Sequence, residues 1–196
     1  MNSTIEYYDK YSKAYFNKND SKNMKELYRL FLTHLPERAT ILDAGCGTGR
    51  DSKAFTDLGY FVTAFDASRS MVELCQRHHS FPIYHTTFDK FYCDTTFDGI
   101  WACASLLHCD EATFSPSLEN LARFLRSGGI LFASFVAGNG GRQSKDGRYF
   151  LDMNDETIRQ VLANGIPLTF VESWLDARVS TVVSGSHWYS TLLRKD

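Results

Sequence analysis

The residues best suited to hold a ligand stand together in Ile41-Leu42-Asp43-Ala44-Gly45-Cys46-Gly47-Thr48-Gly49-Arg50, where a tight glycine turn separates a buried apolar run from a helical pattern. Glycines at the carboxyl end of a strand remove the side chains that would keep a ligand off the backbone, and open α/β sheets bind their ligands there. The spacing speaks against two kinds of nucleotide loop. Counting from Gly45, a P-loop needs a glycine and then a lysine where Arg50 and Asp51 stand. A dinucleotide fingerprint needs its third glycine at Arg50 as well, and Asp43 would repel the pyrophosphate. A sulfonium cofactor carrying an amino-acid ammonium has the opposite charge requirement, so Asp43 becomes a partner for that ammonium, directly or through water. Asp66 closes the next apolar run, Phe61-Val62-Thr63-Ala64-Phe65. A carboxylate about 20 residues past the glycines accepts both hydroxyls of a ribose diol.

With these residues the chain resembles the class I S-adenosylmethionine-dependent methyltransferases from about Tyr7 to the C-terminus. Leu42 to Gly49 is similar to their first motif, and Phe65-Asp66-Ala67-Ser68 followed by Met71 to their second. Gly49-Arg50-Asp51-Ser52 resembles the branch that includes tellurite-resistance methyltransferases, a short likeness that decides little about the substrate. The resemblance implies a Rossmann-like three-layer αβα sandwich, with a seven-stranded, mostly parallel sheet, a C-terminal antiparallel hairpin and an N-terminal helical lid. It implies S-adenosylmethionine as cofactor and S-adenosylhomocysteine as product. Asp43, Gly45, Gly47, Gly49, Arg50, Asp66, Ala67 and Met71 are then cofactor residues. Thr86, Thr87 and Phe88 flank the adenine, and Cys103, Ala104 and Ser105 line the cofactor. Tyr7, Tyr8, Tyr11 and Tyr15 occupy the place of the lid, with Tyr8 and Tyr15 expected at the cofactor and Tyr11 at the acceptor; a packed aromatic stripe is the competing reading.

Methyl transfer from a sulfonium is an in-line displacement with an activated leaving group, so orientation in a dry pocket supplies much of the acceleration and no dedicated catalytic residue is obligatory. An alcohol or phenol acceptor requires a general base, for which His108 is the best placed candidate; otherwise His108 shapes the pocket or caps a helix. Arg142, Lys145, Arg148 and Tyr149-Phe150 bring cations and aromatics together, either as a site for an anionic or aromatic small molecule or as a solvated loop. Arg148 and Tyr149 are the preferred substrate-side residues. His78-His79 and His85 lack metal-ligand spacing, so no metal is expected, and Cys109 is taken as structural.

These residues require a particular set of elements. Helical spacing between Ile5 and Leu35, broken at Asn19-Asp20-Ser21, predicts two opening helices. Strand-length runs follow at Thr40 to Asp43, Phe61 to Asp66, Pro82 to His85, Gly99 to Ala104 and Ile130 to Val136. Helical stretches alternate with them at Arg50 to Leu58, Ser70 to His78 and Ser115 to Leu125, the last expected to stop at Gly128-Gly129. Gly138 to Gly147 is expected to be a functional loop beside the acceptor. A helix from Asp155 to Ala163 and extended runs at Thr169 to Trp174 and His187 to Leu193 complete the chain. The expected organisation is one domain, with a lid over 1–36, a cofactor core over 37–137, a substrate-side loop over 138–153 and a terminal helix and hairpin over 154–196.

A chain of 196 residues with 43% apolar and 22% charged residues suits one globular core. Its formal charge of -2, without clustered basic residues, offers no footprint for a phosphate backbone, so nucleic acid is an unfavoured partner and a small-molecule acceptor the favoured one. Five cysteines without a C-x-x-C spacing point to reduced thiols in the cytoplasm. No apolar run is long enough to span a membrane. A monomer or homodimer is expected. The alternatives are methylation of RNA, a nucleotide or a protein, and a non-catalytic S-adenosylmethionine-binding module; a dehydrogenase is opposed by Arg50.

Overall fold

A computed structural model describes residues 3–19, 22–179 and 187–196. Helices α1 (Ser3–Asn19) and α2 (Lys25–Leu32) come first; Asp20 and Ser21 of the expected break lie outside the described residues. Strands β1 (Thr40–Ala44), β2 (Phe61–Asp66), β3 (Ile83–His85), β4 (Phe97–Ala102) and β5 (Leu125–Val136) then alternate with helices α3 (Arg50–Asp57), α4 (Arg69–His78) and α5 (Glu111–Phe124). A single 3-10 turn, Leu106–His108, follows β4. Beyond β5 come β6 (Gly140–Gln143), β7 (Tyr149–Asp152), α6 (Asp155–Leu162), β8 (Leu168–Val179) and β9 (His187–Lys195).

The main sheet has the order β3-β2-β1-β4-β5-β9-β8. Its first five strands are parallel, whereas β9 runs antiparallel to both β5 and β8. The order reverses between β1 and β4, and the crevice beyond the carboxyl ends of these two strands is where such a sheet takes a ligand. This is the expected seven-stranded Rossmann-like architecture.

Both sheet faces are buried, which explains why its strands read as continuous apolar runs. Side chains alternate between two cores. Ile41, Trp101, Phe132 and Leu192 join Leu27 and Phe31 of α2 and Phe55 of α3 on one side. Leu42, Ile100, Leu131 and Leu193 join Leu118 and Leu121 of α5 on the other. Side chains cap the helices at the starts that matter: Ser68 accepts from the Met71 amide at α4, Asp110 from Thr113 at α5, and Asn154 forms a reciprocal capping box with Thr157 at α6.

Two expectations are corrected. The stretch Gly138 to Gly147 is not one long loop, because Gly140–Gln143 and Tyr149–Asp152 pair antiparallel as a β-ribbon with only a short connection between them. Helix α5 begins at Glu111 and stops at Phe124; Leu125 already pairs with Phe97, so Gly128 and Gly129 lie within an irregular start to β5.

Phe31 is fully buried, with its ring 5.2 Å from Trp101, 5.8 Å from Phe55 and 6.4 Å from Phe132. Phe31→Ala is expected to cost about 3–5 kcal/mol. Urea unfolding should show a lower midpoint at an unchanged slope.

Candidate active site

Gly45 to Gly49 turns the chain from β1 into α3 against the end of β2, whose Phe65 carbonyl accepts the Gly45 and Cys46 amides, both at 2.9 Å. Gly45 has φ +80°, and a Cβ there would lie 2.4 Å from that of Ser105. At Gly49, with φ +88°, a Cβ would meet the Cys75 sulfur at 2.5 Å. Neither position admits a larger residue without displacement. Asp66 secures the turn from below, one carboxylate oxygen accepting from the Gly47 amide and the other from the Ser68 amide, each at 2.8 Å. Desolvation raises its pKa against the effect of these two bonds.

Asp51, on the first turn of α3, is the buried polar hub behind the turn. It accepts from Tyr28 Oη (2.5 Å), Trp101 Nε1 (2.9 Å) and bidentately from Arg50 (2.7 and 2.9 Å). Against the desolvation that opposes ionisation, the Arg50 guanidinium and these bonds hold its pKa below the usual carboxylate value. Asp43, 2% exposed, is bonded to Ser52 Oγ at 2.5 Å. Desolvation, reinforced by the Asp51 charge, pushes its pKa up to about 8.

Two adjoining cavities open beyond the strand ends. The smaller, about 220 Å³, lies over the glycine turn, Asp66 and Phe88. The larger, about 710 Å³, lies between α1, the β6–β7 ribbon and Trp188. Tyr8, Tyr15, Arg50, Cys103, Ala104 and His108 line both and therefore mark the junction. Ala104 adopts a left-handed φ of +52° and its amide donates to Ser134 Oγ at 2.9 Å. That conformation costs an alanine roughly 1–2 kcal/mol and lies where both cavities meet.

His108 is held at both nitrogens. Its Nδ1 is 2.7 Å from the Tyr149 carbonyl, which can only accept, so Nδ1 carries the proton and Nε2 accepts from Tyr8 Oη at 2.8 Å. Desolvation lowers its pKa to about 4. The same burial raises the Tyr8 phenol well above its ordinary value. Arg148 donates to Asp146 from Nε and Nη2, reaches Tyr8 Oη at 3.4 Å and lies 4.4 Å above the Tyr7 ring.

Helix α1 is tied down on two sides. Ser3 Oγ donates to the Gly147 carbonyl and Thr4 Oγ1 accepts from the Tyr149 amide, fastening the helix to the ribbon. On the other side Asp9 accepts from Ser68 Oγ (2.6 Å) and from the Ser70 amide (3.0 Å) at the start of α4. Through Ser68 helix α1 is thus two hydrogen bonds from Asp66.

Among the residues expected at the cofactor, Gly45, Gly47, Asp66, Ala67, Met71, Thr87 and Phe88 line the smaller cavity, as do Tyr8, Tyr15, Arg50, Cys103 and Ala104. Asp43 and Gly49 do not: Asp43 faces Ser52 under α3, and Gly49 closes the turn against Cys75. Tyr11 and Arg148 line the larger cavity with His108. Tyr149 lines neither among the described residues; it presents its carbonyl to His108, and its hydroxyl lies against Gly141. Asp9, Thr4 and the Asp51 hub were not singled out from sequence. A first-turn Asp beside Arg50 was the available signal for Asp51, whereas Asp9 carries none. Among the described residues no group of His, Cys, Asp and Glu is placed to hold a metal, and no helix is long and apolar enough to cross a membrane.

Residues 41–129 match the family of methyltransferase domains, covering β1 to the start of β5. A malonyl-acyl-carrier-protein O-methyltransferase of Buchnera aphidicola is 37% identical over 100 residues, which cover 50% of this chain and 40% of that protein. The chain spans less than half the length of this curated relative and of others it matches. Among solved structures, the 1,6-didemethyltoxoflavin-N1-methyltransferase of Burkholderia thailandensis, with bound 1,6-didemethyltoxoflavin and S-adenosylhomocysteine, superposes with a TM-score of 0.76 at 23% identity, over 97% of this chain and 87% of that one. The (4+2)-cyclase SpnF superposes with the same TM-score of 0.76 at 17% identity, over 100% of this chain and 97% of that one. Over residues 41–129 the chain is thus similar to methyltransferase domains, and it shares the fold of S-adenosylmethionine-dependent methyltransferases.

Two predictions follow from this geometry. Asp43 has a raised pKa when folded, so between about pH 4 and the folded value near 8 the unfolded chain loses a proton that the folded one keeps, and stability falls as pH rises. Asp43→Asn removes that effect: its melting temperature relative to the parent should climb from pH 5 to pH 8, and a constant difference contradicts the assignment. Asp9→Ala deletes the cap-like bonds at α4 and should cost the docking of α1 about 1–2 kcal/mol. Amide exchange within Ser3–Asn19 is then expected to accelerate roughly five- to thirtyfold while β1 and β4 keep their protection.

Proposed function

We propose that the protein is a methyltransferase that takes its methyl group from S-adenosylmethionine and passes it to a small-molecule acceptor in the larger cavity. The observation that carries this reading is the junction of two cavities at Tyr8, Ala104 and His108, one over the glycine turn and Asp66, the other over a cationic, aromatic wall. The fold alone does not decide the activity, since a (4+2)-cyclase shares it.

The residues of the smaller cavity suit the cofactor. Gly45 leaves a cradle that a Cβ would fill, so backbone is open to close approach. Asp66 spends one acceptor site per oxygen, on the Gly47 and Ser68 amides, and retains others for a ribose diol. Thr87 Oγ1 is buried without a hydrogen-bond partner beside Phe88, a polar atom and a ring suited to the edge and face of an adenine. When bound, the cofactor supplies a methyl group already activated on a sulfonium. The chain's own residues then orient the acceptor and exclude water: Tyr8 and Tyr15 of the lid cover the junction, and the Asp9 and Thr4 bonds hold the lid in place. The names of the relatives, an oxygen and a nitrogen methyltransferase, support transfer to a heteroatom.

Calorimetric titration tests the reading. S-adenosylmethionine should bind in the micromolar range, and Asp66→Ala should weaken it about 10- to 100-fold, the equivalent of losing one charge-assisted hydrogen bond. Tighter binding of NADH, or an affinity indifferent to Asp66, contradicts it.

A further inference from the structure

The larger cavity combines a base that is already engaged with an arginine that is only partly engaged. His108 has its Nδ1 proton on the Tyr149 carbonyl and its Nε2 lone pair on the Tyr8 hydroxyl, so neither nitrogen can take a proton from an acceptor. A relay through Tyr8 would place the proton on His108, whose desolvation keeps it neutral throughout the physiological range. Arg148 has five N–H donors. Asp146 takes those of Nε and one of Nη2, and Tyr8 Oη takes one of Nη1. Among the described residues, one hydrogen on each terminal nitrogen has no other acceptor, and a pair of terminal guanidinium nitrogens is what grips a carboxylate bidentately. The lining also carries Lys18 and Lys22, whereas its Arg50 is engaged by Asp51; Asp146 is the one carboxylate among the lining residues.

We propose that the acceptor is a carboxylic acid, bound as its carboxylate against Arg148, and that the product is its methyl ester. The proposal rests on the methyltransferase reading. A carboxylate is ionised at neutral pH and needs no base, whereas an alcohol or phenol does. An ammonium-bearing acceptor would face like charge in this cavity. One carboxylate oxygen forms the new C–O bond as the S–CH3 bond breaks, the electron pair stays on sulfur, and no proton moves. A volume of about 710 Å³ admits a sizeable aryl or alkyl group beside Tyr7, Tyr11 and Phe150.

The test uses the full chain loaded with S-adenosylhomocysteine for binding, and with methyl-labelled S-adenosylmethionine for turnover. The probes are phenylacetate, 3-phenylpropionate and octanoate with their matched primary alcohols. Acids are expected to bind at least about tenfold tighter than the alcohols and to yield methyl esters. Arg148→Gln should raise the KM for the acids about tenfold or more with cofactor affinity within about twofold of the parent, and Arg148→Lys should fall between them. Preference for the alcohols, equal affinity for both sets, binding of neither, or indifference to Arg148→Gln overturns the proposal. Cofactor affinity measured on the same preparation separates the two claims: its absence defeats the methyltransferase reading, whereas intact cofactor binding with any of those outcomes defeats only the acceptor assignment.

Discussion

The site depends on one backbone constraint: between Ala44 and Arg50 the chain must reverse from a buried strand into a helix without side chains that would cover its backbone. The Phe65 carbonyl and the Asp66 carboxylate together take three of the turn's amides, so β2 holds the turn of β1 through hydrogen bonds as well as through register. Gly45 packed on Ser105 joins the end of β4 to the same turn. The parallel order of the sheet is what delivers these strand ends to a common edge. Asp66 thereby has two functions, as a structural acceptor for Gly47 and as the polar floor of the smaller cavity.

Charge is separated behind and in front of this turn. Behind it, Asp51 keeps its negative charge by gathering Arg50, Tyr28 and Trp101, and the neighbouring Asp43 is driven toward its protonated form. Two buried carboxylates so close cannot both ionise cheaply, and the one with the guanidinium wins. In front of it, the Tyr8, His108 and Arg148 cluster resists any change of protonation, with the phenol raised, the imidazole lowered and the guanidinium kept charged. The junction therefore presents a fixed electrostatic environment to whatever binds there.

The sheet and its glycine turn were legible in the sequence because their signals are local. Strand, Asp43, glycines and Asp66 occur in order, and the alternation of apolar runs with helical stretches gave a parallel sheet whose two ending strands form the expected hairpin. What escaped was long-range or depended on side-chain direction. Asp9 meets Ser68 59 residues away, and Trp101 meets Asp51 across 50. Asp43 stands between Leu42 and Ala44, both in the core beneath α5, so the strand's period of two turns Asp43 the other way, under α3. The same alternation defeats the pairing of Arg148 with Tyr149: neighbours at the start of a strand face opposite sides, and with Arg148 at the cavity Tyr149 turns its ring toward Gly141. Reading 138–147 as a loop failed because a glycine-rich strand lacks the apolar alternation that marks one.

A crystal structure of the protein with S-adenosylhomocysteine tests the central claim most directly. The account predicts the ribose hydroxyls on the Asp66 carboxylate, the adenine between Thr87 and Phe88, and the sulfur at the junction bounded by Tyr8, Ala104 and His108, facing the larger cavity. A ribose bonded elsewhere, or a sulfur turned away from that cavity, would contradict it.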